Sequence, residues 1–320
     1  MHDKISGAMI FNREQRIHLN GTDILLEYSS EGGAIERLDL LKILRAACSD
    51  VGVDIRHNCK IEALDQFNSY DLIVGADGVN SLVRRLNEEA FGTEAYTLTN
   101  HFAWYGVGRA MQPGSLIFRT AAGGRFVGHY YPYTPRMSTF VAECDAATWR
   151  SVGLAGMSDD ERRKFMETVF APELMGDPLI DNRSIWRNFP VVTNKVWSVG
   201  NIVLIGDALM SAHFSIGSGT RLAMDDAAAL FEAIQQTDDV AAALVRFDGI
   251  RRPWREQFGE AAKRSFSWYE RLEEIMGQEL IDFAYDFLTR TGRVDDVRLA
   301  QYTPEFFRMY KKAKGAGLRP

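Results

Sequence analysis

The chain has 320 residues, 46% of them hydrophobic and 25% charged, with a formal net charge of −6. This length buries a sizeable core in one large or two smaller domains, and the composition is that of an ordinary globular protein. The acidic balance argues against general nucleic-acid binding. No apolar run is long enough to span a bilayer, and Cys48, Cys59 and Cys144 share no metal-ligand spacing. The three cysteines fit reduced thiols in a cytoplasmic protein.

The first ten residues, MHDKISGAMI, carry no signal or transit pattern. Residues 35–50 are expected to form a helix, because Leu38, Leu41, Ile43, Leu44 and Ala47 recur with a helical period. Residues 53–56 and 60–64 read as short strands. Residues 72–76 form a continuous small and apolar run, the pattern of a parallel strand covered on both faces. That strand ends in Asp77-Gly78, with Ser81 and Arg84 just beyond.

From residue 101 the pattern becomes alternating and rich in aromatics. Segments 101–107, 115–120, 124–133 and 138–143 are expected to form an antiparallel sheet. Residues 145–174 read as largely helical, with a capping box at Ser158-Asp-Asp-Glu161. A second buried strand, Asn201-Ile-Val-Leu-Ile-Gly-Asp-Ala208, runs on into His213-Phe-Ser-Ile-Gly-Ser-Gly-Thr220. The helix that follows, about 219–235, packs Leu222, Ala223, Ala227, Leu230 and Ile234. Residues 238–290 read as helical throughout. There Arg251, Arg252, Arg255, Lys263 and Arg264 form a basic face, expected to be a solvated surface.

Two strands that each end in an acidic residue beside glycine suggest one shared site, since ligands of open α/β sheets bind outside the carboxyl ends of the strands. The Asp207 carboxylate accepts hydrogen bonds from sugar or ribityl hydroxyls in this reading. Gly217 and Gly219 let the backbone approach a flat ligand. The N–H groups opening the next helix hold an anion or a reduced ring. The plainer alternative is a pair of ordinary turns, in which Asp-Gly is common. No Ser-His-Asp pattern, metal cluster or P-loop stands out.

These residues carry a resemblance. The chain resembles the FAD-dependent aromatic hydroxylases, the single-component flavoprotein monooxygenases of the para-hydroxybenzoate hydroxylase fold. Asp77-Gly78-x-x-Ser81-x-x-Arg84 is similar to that family's Asp-Gly motif. Gly206-Asp207 with Gly217-x-Gly219 is similar to its Gly-Asp motif and flavin-ring turn. Arg37 with Leu40, Leu41 and Leu44 is similar to its Arg-x-x-Leu segment, whose arginine lies near FAD. Residues 102–106, 137–144, 186–188 and 213–217 look closest to the salicylyl-CoA and 2-aminobenzoyl-CoA hydroxylases and the tryptophan-derivative hydroxylase of violacein synthesis. One departure is large: the Gly-x-Gly-x-x-Gly turn that holds the FAD pyrophosphate occurs nowhere in the sequence. The chain is therefore expected to start after that unit, as a truncated frame, a product of internal initiation, or a member that has lost the unit.

The resemblance implies an α/β fold: a Rossmann-like FAD/NAD(P)-binding domain, N-terminally incomplete, with an inserted, mostly antiparallel substrate-domain sheet and C-terminal helices. The implied division is 1–98 with 196–236 for FAD, 99–195 for substrate, and 237–320 as a helical region. The implied activity is hydroxylation of an activated aromatic ring, using NAD(P)H and O2, through a flavin C4a-hydroperoxide. The implied substrate is an aromatic acyl-CoA; an indole or tryptophan-derived substrate, or a non-catalytic or split fragment, are the alternatives. Cofactor contacts are expected from Arg37, Asp77, Gly78, Gly206, Asp207, Gly217, Ser218, Gly219 and Thr220. His213 is the expected catalytic group, hydrogen-bonding or deprotonating a ring hydroxyl; the alternative is a capping or packing role. Trp104, Phe118, His129, Tyr131, Tyr133 and Phe140 of the expected sheet, with Phe214 of the turn, are the candidates to line a substrate pocket; for the sheet aromatics the commoner alternative is a place in the core. Glu143 is expected to pair with an arginine, and Arg187 to be that partner or a phosphate contact. No metal, nucleic acid or membrane is expected; a homo-oligomer, or a partner supplying the missing nucleotide-binding unit, is.

Overall fold

The computed structural model describes residues 2–181 and 183–315. The chain divides into two compact units: Met1–Arg56, Thr99–Asn188 and Trp268–Pro320 form one, and His57–Leu98 with Phe189–Ser267 form the other. The expected division placed residues 1–56 with the cofactor domain. They belong instead to the unit of the antiparallel sheet, which residues 9–35 join by backbone pairing.

That pairing starts with a long hairpin, β1 (Met9–Leu19) and β2 (Thr22–Ile35). Its turn is Asn20-Gly21, both at positive φ, the two-residue turn whose twist suits a hairpin. Because β1 also pairs in parallel with β5 (Gly114–Ala121), the hairpin becomes part of the main sheet. Between them in sequence come β3 (Ile73–Gly75) and β4 (Thr93–Val107). Then follow β6 (Gly124–Thr134), β7 (Met137–Cys144), β8 (Ile180–Asp181) and β9 (Arg187–Asn194). The sheet order is β2-β1-β5-β6-β7-β4-β8, with β9 on β4. β5, β6, β7 and β4 form the expected antiparallel run.

Strand alternation sends successive side chains to opposite faces of this sheet. One face carries Ile17, Leu19, Leu116, Phe118 and Val127 against Trp268, Tyr269, Phe283 and Phe306 of the C-terminal helices. The other carries Ile117, Phe126, Tyr130 and Phe140 against Met166, Phe170 and Leu174. The helix Asp159–Val169 opens on the expected capping box at Ser158. Phe118 and Phe140, both expected at a substrate pocket, are each 0% exposed. Phe118 packs 4.7 Å from the Phe283 ring and Phe140 5.2 Å from the Phe170 ring. Both are core residues, each contributing roughly 1.5–3 kcal/mol by burial.

In the second unit, β10 (Ser198–Val199), β11 (Ile202–Leu204) and β3 form a three-stranded sheet in that order. β11 and β3 are parallel, with Ile73 beside Ile202 and Gly75 beside Leu204. The helix Gly219–Gln235 contributes Ala229, Leu230 and Ala233 to a core with Phe91, Trp197 and Phe247.

Three expectations about elements are corrected. Residues 53–64 form no strand; Val53, Ile55 and Ile61 are exposed, with no neighbouring strand to pair with among the described residues. The helix Arg37–Asp50 forms as expected but buries no residue, and Leu38 and Leu41 are 60% and 42% exposed. The stretch 238–290 breaks into Val240–Tyr269, Leu272–Ile275 and Leu280–Thr289.

Candidate functional site

The parallel register of β3 and β11 sets the carboxyl ends of both strands side by side, and the Ile205 N–H donates to Gly75 O at 3.0 Å. The strand interior is closely packed here: a Cβ on Gly75 would stand 2.7 Å from Leu204 Cδ2. Asp77 follows one strand and Asp207 the other, and both are exposed. Asp77 Oδ2 accepts from the Leu82 and Val83 N–H groups at 2.7 and 3.3 Å, so it orders the turn through Gly78, whose φ is +79°. Arg84 ties the two turns together, donating to Val79 O and, at 3.0 Å, to Ala208 O.

The Gly206-Asp207 turn is held from behind by a buried charge network. Gly206 has φ +60°, and a Cβ there would lie 3.2 Å from Ala223 Cβ, so only glycine fits without displacement. Its N–H donates to Asp226 Oδ2 at 3.0 Å. Asp226 Oδ1 accepts from Arg251 Nε and Nη2 at 3.0 and 2.8 Å. Arg255 donates to Gly206 O at 2.9 Å and Met210 O at 2.7 Å. Asp226, Arg251 and Arg255 are 0%, 8% and 2% exposed. The basic face read as solvated surface is therefore corrected at Arg251 and Arg255, which point inward to a carboxylate. Burial lowers the Arg255 pKa, and Asp226 opposes that shift.

Beyond this turn, Phe214–Ile216 forms one 3-10 turn, Gly217 takes φ +59°, and Gly219–Gln235 begins. The Ser218 hydroxyl donates to Ile216 O at 3.0 Å rather than capping the helix. The first-turn N–H groups at Gly219 and Thr220 thus carry no side-chain cap, which leaves the positive end of a 17-residue helix for a ligand acceptor. No side chain crowds Gly217, and the nearest atom to a Cβ on Gly219 would be 3.9 Å away.

His213 is 5% exposed, within ring contact of Phe214 (4.3 Å), Phe189 (4.6 Å) and Phe266 (5.8 Å). Its Nδ1 accepts from the Ser215 N–H at 3.2 Å, so the neutral ring carries its proton on Nε2. The Ser215 hydroxyl bonds both His213 Nδ1 and Ser265 Oγ at 2.8 Å. Capping of the turn through Ser215 and packing against Phe214 are among the contacts this histidine makes.

In the sheet-bearing unit, Trp104, His129, Tyr131 and Thr139 share one face. Trp104 Nε1 donates to Thr139 Oγ1 at 2.7 Å. A small cleft of about 270 Å³ brings Arg37 together with Tyr131, Tyr133 and Thr139. Burial pushes the His129 pKa down to about 4, with Arg290 adding to the shift, so the ring is neutral near pH 7. Glu143 is 4% exposed and pushed up to about 7 by burial. It accepts from Asn100 Nδ2 at 2.8 Å, not from an arginine. Arg187 lies over the Phe102 ring at 5.6 Å.

Residues 65–243 match the FAD binding domain family. The chain is 38% identical over 262 residues to the 3-hydroxy-4-methyl-anthranilyl-[aryl-carrier protein] 5-monooxygenase of Streptosporangium sibiricum, covering 82% of this chain and 69% of that one. The chain belongs to the FAD-dependent aromatic monooxygenases. It is also 34% identical to the salicyloyl-CoA 5-hydroxylase of a Streptomyces species, over 81% of this chain and 52% of that protein. A third relative, the protodeoxyviolaceinate monooxygenase of Chromobacterium violaceum, is 34% identical over 80% of this chain and 69% of its own length. The chain thus spans between half and about two thirds of these relatives. Among solved structures, the tetrameric form of 2-methyl-3-hydroxypyridine-5-carboxylic acid oxygenase superposes with a TM-score of 0.67 at 19% identity, covering 93% of this chain and 80% of that one. This likeness supports the monooxygenase fold. FAD is the cofactor of the family, and the exposed Asp207, the open glycine turn and the uncapped helix are a donor and acceptor set that fits the ribityl and ring end of it. No helix among the described residues is long and apolar enough to cross a membrane.

Proposed function

We propose that this flavin monooxygenase hydroxylates an activated aromatic ring carried as an acyl thioester on CoA or on a carrier protein, with NAD(P)H as reductant. The observation that carries the reading is the pairing of β3 with β11. It sets the exposed Asp77 and Asp207 at one sheet end, in the unit that also holds the uncapped helix Gly219–Gln235. Two of the relatives named above act on carrier- or CoA-linked rings by name.

Bound FAD supplies the activation of O2. This chain's residues bind, orient and keep dry. Asp207 would accept hydrogen bonds from hydroxyls of the cofactor, and the N–H groups of Gly219 and Thr220 would hold an acceptor on its ring. Arg37, Tyr131 and Tyr133 form the walls of a cleft, with Trp104 held in one orientation by Thr139. Aromatic walls exclude water, which protects oxygen transfer from wasteful decay. His213 acts as a positioning residue in this reading, fixing the turn through Ser215 and packing beside Phe214.

The test is a visible absorption spectrum of the purified protein after incubation with FAD, followed by NAD(P)H oxidation with salicyloyl-CoA. A bound flavin spectrum and substrate-stimulated oxidation yielding a hydroxylated thioester support the reading. A flavin-binding protein that hydroxylates free indole acids and ignores the thioester overturns the substrate class.

A second reading is favoured by one observation. The outer edge of β3 has no paired strand among the described residues, and Val74 there is 40% exposed. Such an edge accepts a further strand. A partner or additional segment bearing the pyrophosphate-binding turn would then complete the cofactor site. A protein that stays colourless with FAD alone and turns yellow with that partner supports this alternative.

A further inference from the structure

The sheet-bearing unit holds a second, larger cleft of about 900 Å³, on the opposite sheet face from Trp104 and Thr139. Arg16 and His18 of β1, Arg119 of β5 and Glu173 line it, with Arg109 at one side. Nearly every charge here is already committed. Arg119 makes a two-point contact with Glu173 at 2.8 and 2.7 Å. Arg109 donates to Asp177 at 2.6 Å. His18 Nδ1 bonds Asp23 at 2.6 Å, and His18 Nε2 accepts from the Gly21 N–H at 3.0 Å.

Arg16 is the exception. It is half-buried and has no ion-pair or hydrogen-bond partner among the described residues. Its strand is fixed on both sides, by Leu25 of β2 and Ser115 of β5, so the side chain starts from a rigid floor. Charges withdrawn from water are ordinarily paired, because leaving them unpaired costs solvation. A guanidinium offers a planar fork that matches phosphate oxygens. The cleft is far larger than one phosphate needs, and Asn20, Gln112 and Thr120 add neutral amide and hydroxyl groups to its wall. Arg109 and Arg119 each hold a carboxylate, and Asp23 is hydrogen-bonded by His18, so Arg16 is the guanidinium lining this cleft that has no carboxylate partner among the described residues.

We propose that this cleft binds a phosphate ester of a hydroxyl-bearing small molecule, with Arg16 holding the phosphate and the amide and hydroxyl wall receiving the remainder. None of the residues lining this cleft is among those assigned to the flavin, and the proposal does not rest on the hydroxylase reading.

Calorimetric titration with ribose 5-phosphate, inorganic phosphate and ribose tests the proposal. Ribose 5-phosphate is expected to bind more tightly than inorganic phosphate, and ribose not to bind. Arg16→Gln should weaken ribose 5-phosphate by about tenfold, the worth of charge-assisted hydrogen bonds. Arg16→Lys should recover part of the loss. A melting curve like that of the wild type verifies that the Arg16 variants fold. Wild-type affinity in Arg16→Gln, no binding at millimolar concentration, or equal affinity for inorganic phosphate and the ester each overturns the proposal.

Discussion

The Gly206 N–H donates to a fully buried carboxylate, Asp226 Oδ2, at 3.0 Å, and this contact joins the turn bearing Asp207 to the interior of the helix behind it. Asp226 is thereby a pivot: it fixes the backbone in front and neutralises Arg251 behind. Removing one partner from a buried pair leaves an uncompensated charge, at a cost of about 3–5 kcal/mol. Asp226→Ala is expected to lower the unfolding midpoint sharply and to abolish flavin retention. Asp226→Asn keeps an acceptor for Gly206 and should retain more flavin than Asp226→Ala. Equal flavin content in wild type and Asp226→Ala would remove Asp226 from the site's framework.

Glu143 supplies a pH dependence of known sign. Its folded pKa of about 7 lies above its ordinary value of 4.5. The stability it contributes is full below pH 4.5 and is lost as the pH rises through about 7. Asn100 donates to Glu143 and leaves its own Oδ1 without a partner, so a neutral side chain with an N–H to offer suits the position. Glu143→Gln should therefore melt like the wild type near pH 5 and at a higher temperature at pH 8. A variant less stable than wild type at pH 8 would show that the carboxylate is favourable there.

His129 works in the opposite direction. Its folded pKa is depressed from 6.5 to about 4. Its contribution is present above pH 6.5 and falls away as the pH drops toward 4, by up to about 3 kcal/mol. Denaturant titrations of wild type and His129→Phe across that window separate this effect from that of Glu143. The phenylalanine variant should show a flatter profile on the acid side. An unchanged profile would place the acid sensitivity elsewhere.

His213→Ala removes an acceptor for Ser215 and a ring packed between Phe189 and Phe214. A loosened turn admits water, so NAD(P)H consumption should continue while peroxide release rises at the expense of hydroxylated product. Peroxide yield per NAD(P)H is the measurement. Unaltered coupling in a folded, flavin-loaded variant would confine His213 to packing.

How much of this was legible in the sequence depends on whether the signal was local. The β3 and β11 strands, their Asp-Gly and Gly-Asp ends and the glycine turn are written in contiguous residues, and the structure places the two strands side by side. The β1–β2 hairpin carries an Asn20-Gly21 turn signal, but the polar runs Asn12-Arg13-Glu14-Gln15-Arg16 and Ser29-Ser30-Glu31 interrupt any apolar alternation in its strands. Arg251 and Arg255 were misread because a buried guanidinium and a solvated one look the same until a distant Asp226 is known to face them. For Phe118 and Phe140 the sequence leaves pocket and core open for a related reason, and the structure shows core. Aromatic strands announce a sheet, yet which face is covered depends on helices far along the chain. Val53, Ile55 and Ile61 show the converse, since strand-forming residues make no strand without one to pair with.

The tie between Arg84 and Ala208 spans 124 positions of sequence. Local helices and hairpins assemble early at little entropic cost, whereas parallel pairing between remote segments requires closure of a long loop first. The two acidic turns consequently come together late, after the intervening sheet has been synthesised. Capture of the yellow cofactor is then a milestone of completed long-range assembly, and its rate during refolding reports that final step separately from the gain of secondary structure.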